Sequence, residues 1–134
     1  MTRAAAALGL IAALAALASG CGDEQPAGAT VAIHYSRFVP DTITVTAGLP
    51  VAITLRNEDP IEHEWIVGPP GVHERHRTGT EPFHDALPTE VTVPALSTRV
   101  TTLTFDRAGE YAYICHLPGH EAYGMVGTFR VVER

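Results

Sequence analysis

Short runs of alternating apolar and polar residues limit the folds open to this chain. Within residues 51–56, Val51, Ile53 and Leu55 alternate with smaller or polar residues. A period of two is typical of a strand with one buried face. Similar runs predict strands near residues 31–35, 42–46, 63–67, 90–93, 99–105, 111–115 and 126–132.

Turn sequences separate these runs, and no helical stripe stands out after residue 28. Residues 68–88 are the one long irregular stretch, rich in His, Pro and Gly, and a short helix is predicted near residues 72–77. Seven or eight short strands joined by turns predict an all-β fold, either an antiparallel sandwich or a Greek-key barrel.

The N-terminal segment has a different composition from the rest. Residues 1–20 are mostly Ala and Leu, Arg3 carries their only charge, and small residues directly precede Cys21. This pattern is typical of a secretory signal, and it resembles the lipobox of bacterial lipoproteins, whose cysteine is lipid-modified. We therefore expect Cys21 to be the lipidated mature N-terminus and residues 21–28 to be a tether. Two alternatives stay open: an uncleaved membrane anchor, or an ordinary cleavage that leaves Cys21 to pair with Cys115.

Residues 29–134 then form one domain, which is long enough to bury a core without a disulfide framework. The chain has 15 acidic and nine basic residues, all of the basic ones Arg, and a formal net charge of -6. An acidic chain without a basic run makes nucleic acid a poor partner.

The strongest chemical signal lies between the last two predicted strands. There Cys115, His120 and Met125 are spaced as C-x4-H-x4-M. Thiolate and thioether are soft donors that suit copper, and two His and one Cys with a weak axial Met are the ligands of blue-copper electron-transfer sites. His63, at the start of a predicted strand, is the best candidate for the remaining ligand. A free core thiol beside two surface histidines is the alternative without a metal.

These motifs resemble the cupredoxin family. The shared features are an upstream His after an Asn-containing turn and a Cys-His-Met loop before the last strand, with supporting matches at residues 38–41, 45–48 and 108–113. The resemblance covers about residues 30 to 132, and the loop spacing is closer to rusticyanin-like members than to plastocyanin. It implies a cupredoxin-like sandwich that holds one type 1 copper ion through His63, Cys115, His120 and Met125.

Two positions depart from the family pattern. Blue-copper proteins usually have Asn after the first His ligand and a small polar residue after the Cys, whereas this chain has Glu64 and His116. We expect Glu64 to form a hydrogen bond or salt bridge with His116 that holds the two ligand loops together. The alternative is that both side chains face solvent.

The histidine-rich stretch supplies a candidate for a weak second metal site. On a helix, His73 and His76 would lie on one face, and His84 is nearby in sequence. Together they could take a second copper or zinc ion. Solvated loop histidines are the alternative.

The resemblance implies an electron carrier rather than an enzyme. Ile114, not His, precedes Cys115, which disfavours multicopper oxidase chemistry, and no protease signature surrounds the cysteine. We expect a monomer anchored on the outer face of the plasma membrane, with redox protein partners docking near His120. The alternative function is periplasmic or extracellular copper delivery or resistance, which the histidine-rich stretch favours.

Overall fold

Nine strands in two sheets and one short helix make up residues 27–82 and 87–134, the part of the chain that this computed structural model describes. The strands are β1 (Ala27–Ile33), β2 (Phe38–Val39), β3 (Thr42–Thr46), β4 (Pro50–Asn57), β5 (His63–Gly68), β6 (Glu90–Val93), β7 (Thr98–Thr104), β8 (Gly109–Ile114) and β9 (Val126–Val132). Helix α1 (Pro70–Thr78) lies between β5 and β6. The predicted signal, Cys21 and His84 lie outside the described residues.

The two sheets follow a sandwich topology with crossovers. One sheet has the order β2-β1-β4-β7, and the other has the order β3-β9-β8-β5-β6. The predicted all-β sandwich is confirmed. Most strand pairs are antiparallel, but β1 runs parallel to β4 and β3 runs parallel to β9. Parallel neighbours need long connections, and here the chain changes sheets between these strands.

The element boundaries differ from the sequence prediction at the start of the domain. β1 begins at Ala27, inside the expected tether, because Ala27 and Gly28 pair with β4. It ends at Ile33, so Tyr35 is not a strand residue but lies in a turn with a φ of 51°. The two-residue strand β2 was too short to predict, which raises the count to nine.

The predicted short helix is present as α1. Pro70 occupies its first turn, where a missing N–H costs nothing, and Gly79 ends it with a left-handed φ of 66°. No helix within the described residues is both long and apolar enough to cross a membrane.

The core lies between the two sheets and extends to the loop that carries the predicted ligands. Its fully buried side chains include Val31, Ile33, Ile53, Leu55, Trp65, Tyr113 and Phe129. The indole of Trp65 contacts the rings of Tyr113 and Phe129, each at a centroid distance of 5.9 Å. Cys115 and Met125 belong to the same core cluster. The packed sandwich therefore holds the thiol and the thioether directly.

Candidate metal centre

The loop from Cys115 to Met125 is fixed at both ends by the sheet. Cys115 directly follows β8, Met125 directly precedes β9, and the adjacent residues Ile114 and Val126 pair across these strands. The Cys115 N–H donates to the Met125 carbonyl oxygen at 3.2 Å. Backbone hydrogen bonds therefore hold the two sulfur-bearing residues at the base of the loop.

Hydrogen bonds inside the loop place His120 over this base. The His120 N–H donates to the Leu117 oxygen at 3.0 Å, and the Met125 N–H donates to the His120 oxygen at 3.0 Å. Gly119 and Gly124 have φ values of 86° and 88°, a left-handed conformation that glycine adopts without strain. These turns make the loop short enough to direct three potential ligands inward.

Three of the four predicted ligands converge on one point. Cys115 Sγ lies 3.3 Å from His120 Nδ1, and His63 Nδ1 lies 3.3 Å from the same nitrogen. The donor atoms of all three residues lie within 4.8 Å of one another. Donors bonded at about 2.0–2.3 Å to one ion are separated by roughly 3–4 Å, so these spacings suit a shared metal ion.

Burial distinguishes the four residues. His63, Cys115 and Met125 are 0% exposed, whereas His120 is half-buried. The side chains of His63, Cys115 and Met125 are therefore shielded from water, and among the four residues only His120 reaches the surface.

Asp59 orients His63, and the sequence reasoning missed it. The His63 Nε2–H donates to Asp59 Oδ2 at 3.0 Å, which leaves Nδ1 as the nitrogen that faces the site. The same carboxylate accepts the N–H groups of Tyr35 at 2.7 Å and Ser36 at 2.8 Å. Burial alone would raise the pKa of Asp59, but these backbone N–H groups hold it below its usual value. The available signal was a carboxylate four residues before the predicted ligand.

Asn57 fixes the turn that carries Asp59. Its Nδ2 lies within 3.1 Å of the carbonyl oxygens of Ile61, Val93 and Pro94, and its Oδ1 accepts the Asp59 N–H at 3.0 Å. The end of β4, the turn before β5 and the end of β6 are therefore joined by one buried amide. This explains why an Asn-containing turn precedes the first His ligand.

Burial favours the neutral forms of Cys115 and His63. Burial raises the pKa of the Cys115 thiol, although the N–H groups of Glu64 and Leu117 act in the opposite direction. Burial also lowers the pKa of His63, against the effect of Asp59. A buried thiol gives up its proton when a cation takes the proton's place. The Glu64 N–H, 3.4 Å from Cys115 Sγ, can then donate to the thiolate.

The expected Glu64–His116 hydrogen bond is not formed between these described residues. Instead, the His116 Nε2–H donates to His73 Nδ1 at 3.0 Å, and His116 Nδ1 lies 3.5 Å from Glu121 Oε2. Burial, together with the nearby His73, lowers the pKa of His116 to about 4, so its imidazole is neutral at pH 7. Helix α1, which packs beside β5, brings His73 to His116, whereas Glu121 belongs to the ligand loop itself.

Two histidines of the predicted second site, His73 and His76, have different hydrogen-bond partners. Both ring nitrogens of His73 are engaged, because Nε2–H donates to the Gly68 oxygen at 3.1 Å and Nδ1 accepts from His116. His76 instead directs Nδ1–H to the Val72 oxygen at 2.9 Å. A site built from His73, His76 and His84 stays a prediction, since His84 is outside the described residues.

Comparison with known proteins identifies the class. A family model described as a cupredoxin-like domain matches residues 4–127. The chain is also 34% identical over 119 residues to the copper-resistant cuproprotein CopI of Rubrivivax gelatinosus, covering 84% of this chain and 71% of that protein. The chain therefore belongs to the cupredoxin-like family.

Solved structures of blue copper proteins share the fold. Auracyanin A, a blue copper protein from the photosynthetic bacterium Chloroflexus aurantiacus, has a TM-score of 0.66 at 25% identity, over 81% of this chain and 100% of that chain. Auracyanin B has a TM-score of 0.66 at 24% identity, over 82% of this chain and 92% of that chain. At this level of identity, the likeness to auracyanin B concerns the fold alone.

Family and geometry together define the cofactor. His63, Cys115, His120 and Met125 form a type 1-like site, and the cofactor is copper. The donor chemistry agrees, because one thiolate, two imidazoles and one thioether match the preferences of copper and not those of a closed structural zinc site.

Proposed function

We propose that this protein is a membrane-tethered electron carrier that transfers one electron at a time through its type 1 copper site. The observation that carries the proposal is the convergent donor set of Cys115, His120 and His63, whose donor atoms lie within 4.8 Å of one another. A site that changes little between redox states needs this kind of support.

Copper, when bound, supplies the one-electron Cu(I)/Cu(II) couple. The protein residues hold the donors and exclude water. Asp59 keeps the ring of His63 in one orientation, and the loop hydrogen bonds keep Cys115, His120 and Met125 in register. Soft sulfur donors favour Cu(I), while imidazoles suit both states. The mixed set therefore supports transfer in either direction.

The half-buried edge of His120 is the proposed route for electrons. In the loop, His120 is flanked by Leu117, Pro118, Ala122 and Tyr123, and Tyr123 is 72% exposed. These four side chains carry no charge and the nearby Glu121 pairs with Arg77, whereas the chain as a whole is acidic. Redox protein partners would dock here, with the protein acting as a monomer.

A pair of matched variants tests this route. Ala122→Glu places a charge beside His120, and Val100→Glu places the same charge at a residue that is 65% exposed in the other sheet. We expect both copper-loaded variants to keep the intense absorption at about 600 nm that marks a type 1 site. Only Ala122→Glu should slow electron self-exchange, by about tenfold, as measured by NMR line broadening in mixtures of oxidised and reduced protein. A colourless Cu(II) form of the unaltered protein would contradict the proposal outright.

The membrane location rests on Cys21 and the signal-like residues 1–20. We propose that lipid attached to Cys21 holds the domain on the outer face of the plasma membrane. Metabolic labelling with a radioactive or clickable fatty acid should mark the full chain, and Cys21→Ser should abolish the label and release the protein from the membrane fraction. Label retained by Cys21→Ser would place the attachment elsewhere.

A second function, in copper resistance or delivery, is favoured by the 34% identity to a copper-resistant cuproprotein. The Ala122→Glu variant separates the two functions, because it is designed to keep copper binding while impeding partner docking. In a host strain that lacks the protein and is sensitive to copper, full rescue of copper tolerance by Ala122→Glu would favour resistance or delivery. Rescue by Val100→Glu but not by Ala122→Glu would favour electron transfer to a docked partner.

A further inference from the structure

We propose that His76, Glu81 and Glu90 form a second metal site, for a divalent transition-metal ion such as Zn²⁺ or Cu²⁺. Neither the type 1 site nor the proposed electron transfer requires this site. It shares His76 with the predicted histidine-rich site and adds two carboxylates from the described residues.

The three residues come from separate elements that the fold brings together. His76 lies in the second half of α1, Glu81 follows the helix after the turn at Gly79, and Glu90 begins β6. One potential ligand atom from each residue lies within 4.8 Å of those of the other two. Donors that converge from three segments are typical of a metal site rather than of a solvated charged face.

The tautomer of His76 suits a metal ligand. Its Nδ1–H donates to the Val72 oxygen at 2.9 Å, so Nε2 is the ring nitrogen on the opposite side. Metal-binding histidines commonly donate their second ring N–H to a carbonyl oxygen in this way. His76 Nε2 lies 4.0 Å from Glu90 Oε1. That separation is too long for a hydrogen bond, but it suits two ligands that flank one ion with bonds of about 2.1 Å.

The site is buried. The side chains of His76, Glu81 and Glu90 are 1%, 9% and 3% exposed. Carboxylates that converge away from water repel each other unless positive charge lies with them. Arg75 provides one such charge, since its Nε donates to Glu81 Oε2 at 2.8 Å. A divalent ion would add charge at the point where the two carboxylates meet.

The donor types define which ions bind. One imidazole and two carboxylates offer nitrogen and oxygen but no sulfur, so Zn²⁺ and Cu²⁺ fit better than Cu⁺. The type 1 site, with its thiolate and thioether, has the opposite bias toward soft donors. The two sites would therefore take different ions or oxidation states from the same compartment.

The proposed site lies beside the type 1 loop. The ring of His76 stacks on that of His116, with a centroid distance of 5.3 Å and an interplanar angle of 21°, and His116 directly follows Cys115. An ion bound to His76 would thus be separated from the copper thiolate by one stacked imidazole and one peptide unit.

The test adds Zn²⁺ to copper-loaded, full-length protein without a histidine tag. The absorption at about 600 nm reports that the type 1 site stays filled, and equilibrium dialysis with elemental analysis counts the bound zinc. We expect one additional zinc per chain. Glu81→Gln and Glu90→Gln should each weaken its binding by at least about tenfold, with the copper content unchanged. Glu74→Gln is the matched control, because Glu74 is an exposed carboxylate on α1 and should leave zinc binding intact.

Two results would overturn the proposal. One is the absence of an additional bound zinc. The other is zinc binding that requires His76 but survives both Glu81→Gln and Glu90→Gln, which would indicate a site made of histidines alone. If Glu90→Gln fails to fold by circular dichroism, Glu81→Gln decides, since Glu81 lies in the segment after the helix and outside the strands. Loss of the type 1 colour in the unaltered protein would contradict the proposed function instead, so the two proposals fail separately.

Discussion

Cys115 Sγ lies in the core of the sandwich, 3.3 Å from His120 Nδ1, and the Glu64 N–H approaches it at 3.4 Å. Its burial raises the pKa of the thiol, so the free protein keeps a neutral thiol there. Only a strongly binding cation makes the thiolate the stable form. Burial therefore has two effects on Cys115. It makes the neutral thiol an ordinary core side chain, and it allows the thiolate to form only when a tightly binding cation replaces the proton.

Replacing this sulfur should remove the colour and leave the fold. In Cys115→Ser we expect loss of the absorption at about 600 nm, because that band requires a copper–thiolate bond, while the serine oxygen can still accept the Glu64 N–H. Visible spectra and thermal melting by circular dichroism measure the two effects. The matched variant His63→Ala should weaken copper binding less than Cys115→Ser does. Unfolding of apo Cys115→Ser, or the reverse order of affinities, would contradict this ligand assignment.

Asp59 is the residue whose removal should affect stability and copper binding together. In Asp59→Ala, the N–H groups of Tyr35 and Ser36 and the His63 Nε2–H lose their acceptor. We expect a loss of about 2–5 kcal/mol in the free energy of unfolding and a weakening of copper affinity by roughly 10–100-fold. Urea denaturation and competition with a copper chelator measure these. Asp106→Ala, at an exposed position, is the control and should change neither; equal effects in both variants would count against the positioning role.

At the scale of elements, the ligand loop works because two paired strands define its ends. β8 and β9 are antiparallel neighbours, and the loop closes in two turns that need left-handed glycines. Gly124 is the more constrained, because a Cβ there would lie 2.7 Å from a guanidinium nitrogen of Arg37. The loop is therefore specified by its glycines as much as by its ligands.

Gly124→Ala should strain this loop. We expect the left-handed backbone alone to lower the free energy of unfolding by about 1–2 kcal/mol. Copper should also be released faster, because the altered turn moves His120 and Met125 relative to each other. Stopped-flow transfer of copper to a chelator measures the release. Gly28→Ala is the control, since an added Cβ there meets nothing closer than the Ala52 oxygen at 3.9 Å. If the two variants release copper equally fast, the loop turn is not the limiting constraint.

Elements also show where pattern-based prediction succeeds and fails. The alternating run at residues 51–56 was enough to predict β4, since one buried face leaves a period of two. Helix α1 was predicted near residues 72–77, but its contact with the ligand loop was not, because His116, which His73 and His76 both meet, lies 40 or more positions further along the chain. His116 meets His73 only because α1 packs beside the ligand loop. Sequence alone therefore could not show whether His116 would pair with Glu64 or with His73.

At the scale of the whole molecule, two sheets pack around an aromatic core that does not depend on a metal. Trp65, Tyr113 and Phe129 are fully buried within it, and the rings of Tyr113 and Phe129 are in edge contact at 5.4 Å. The metal centre lies at one end of this core and not at its middle. We therefore expect the sandwich to remain folded without copper.

Copper removal should lower stability without unfolding the protein. The apo form should keep the far-ultraviolet circular dichroism of the loaded form. At a free copper concentration about 1,000 times the dissociation constant, the loaded form should be more stable by about 4 kcal/mol. Denaturant titration with and without a chelator measures the difference. Loss of the β-sheet signal on chelation would show that the metal, and not the core, maintains the fold.

Local sequence patterns and the family resemblance were enough to predict the class of fold, the copper chemistry and the four ligands. Strand periodicity is a local property of the chain, and the C-x4-H-x4-M spacing places three donors on one short loop. The packed fold was needed to show which nitrogen of His63 faces the site, what His116 contacts, and that His76 lies with Glu81 and Glu90. These depend on contacts between distant segments, such as Asp59 with the turn at Tyr35 and α1 with the ligand loop, and no local pattern encodes which distant side chains a packed sheet and helix bring together.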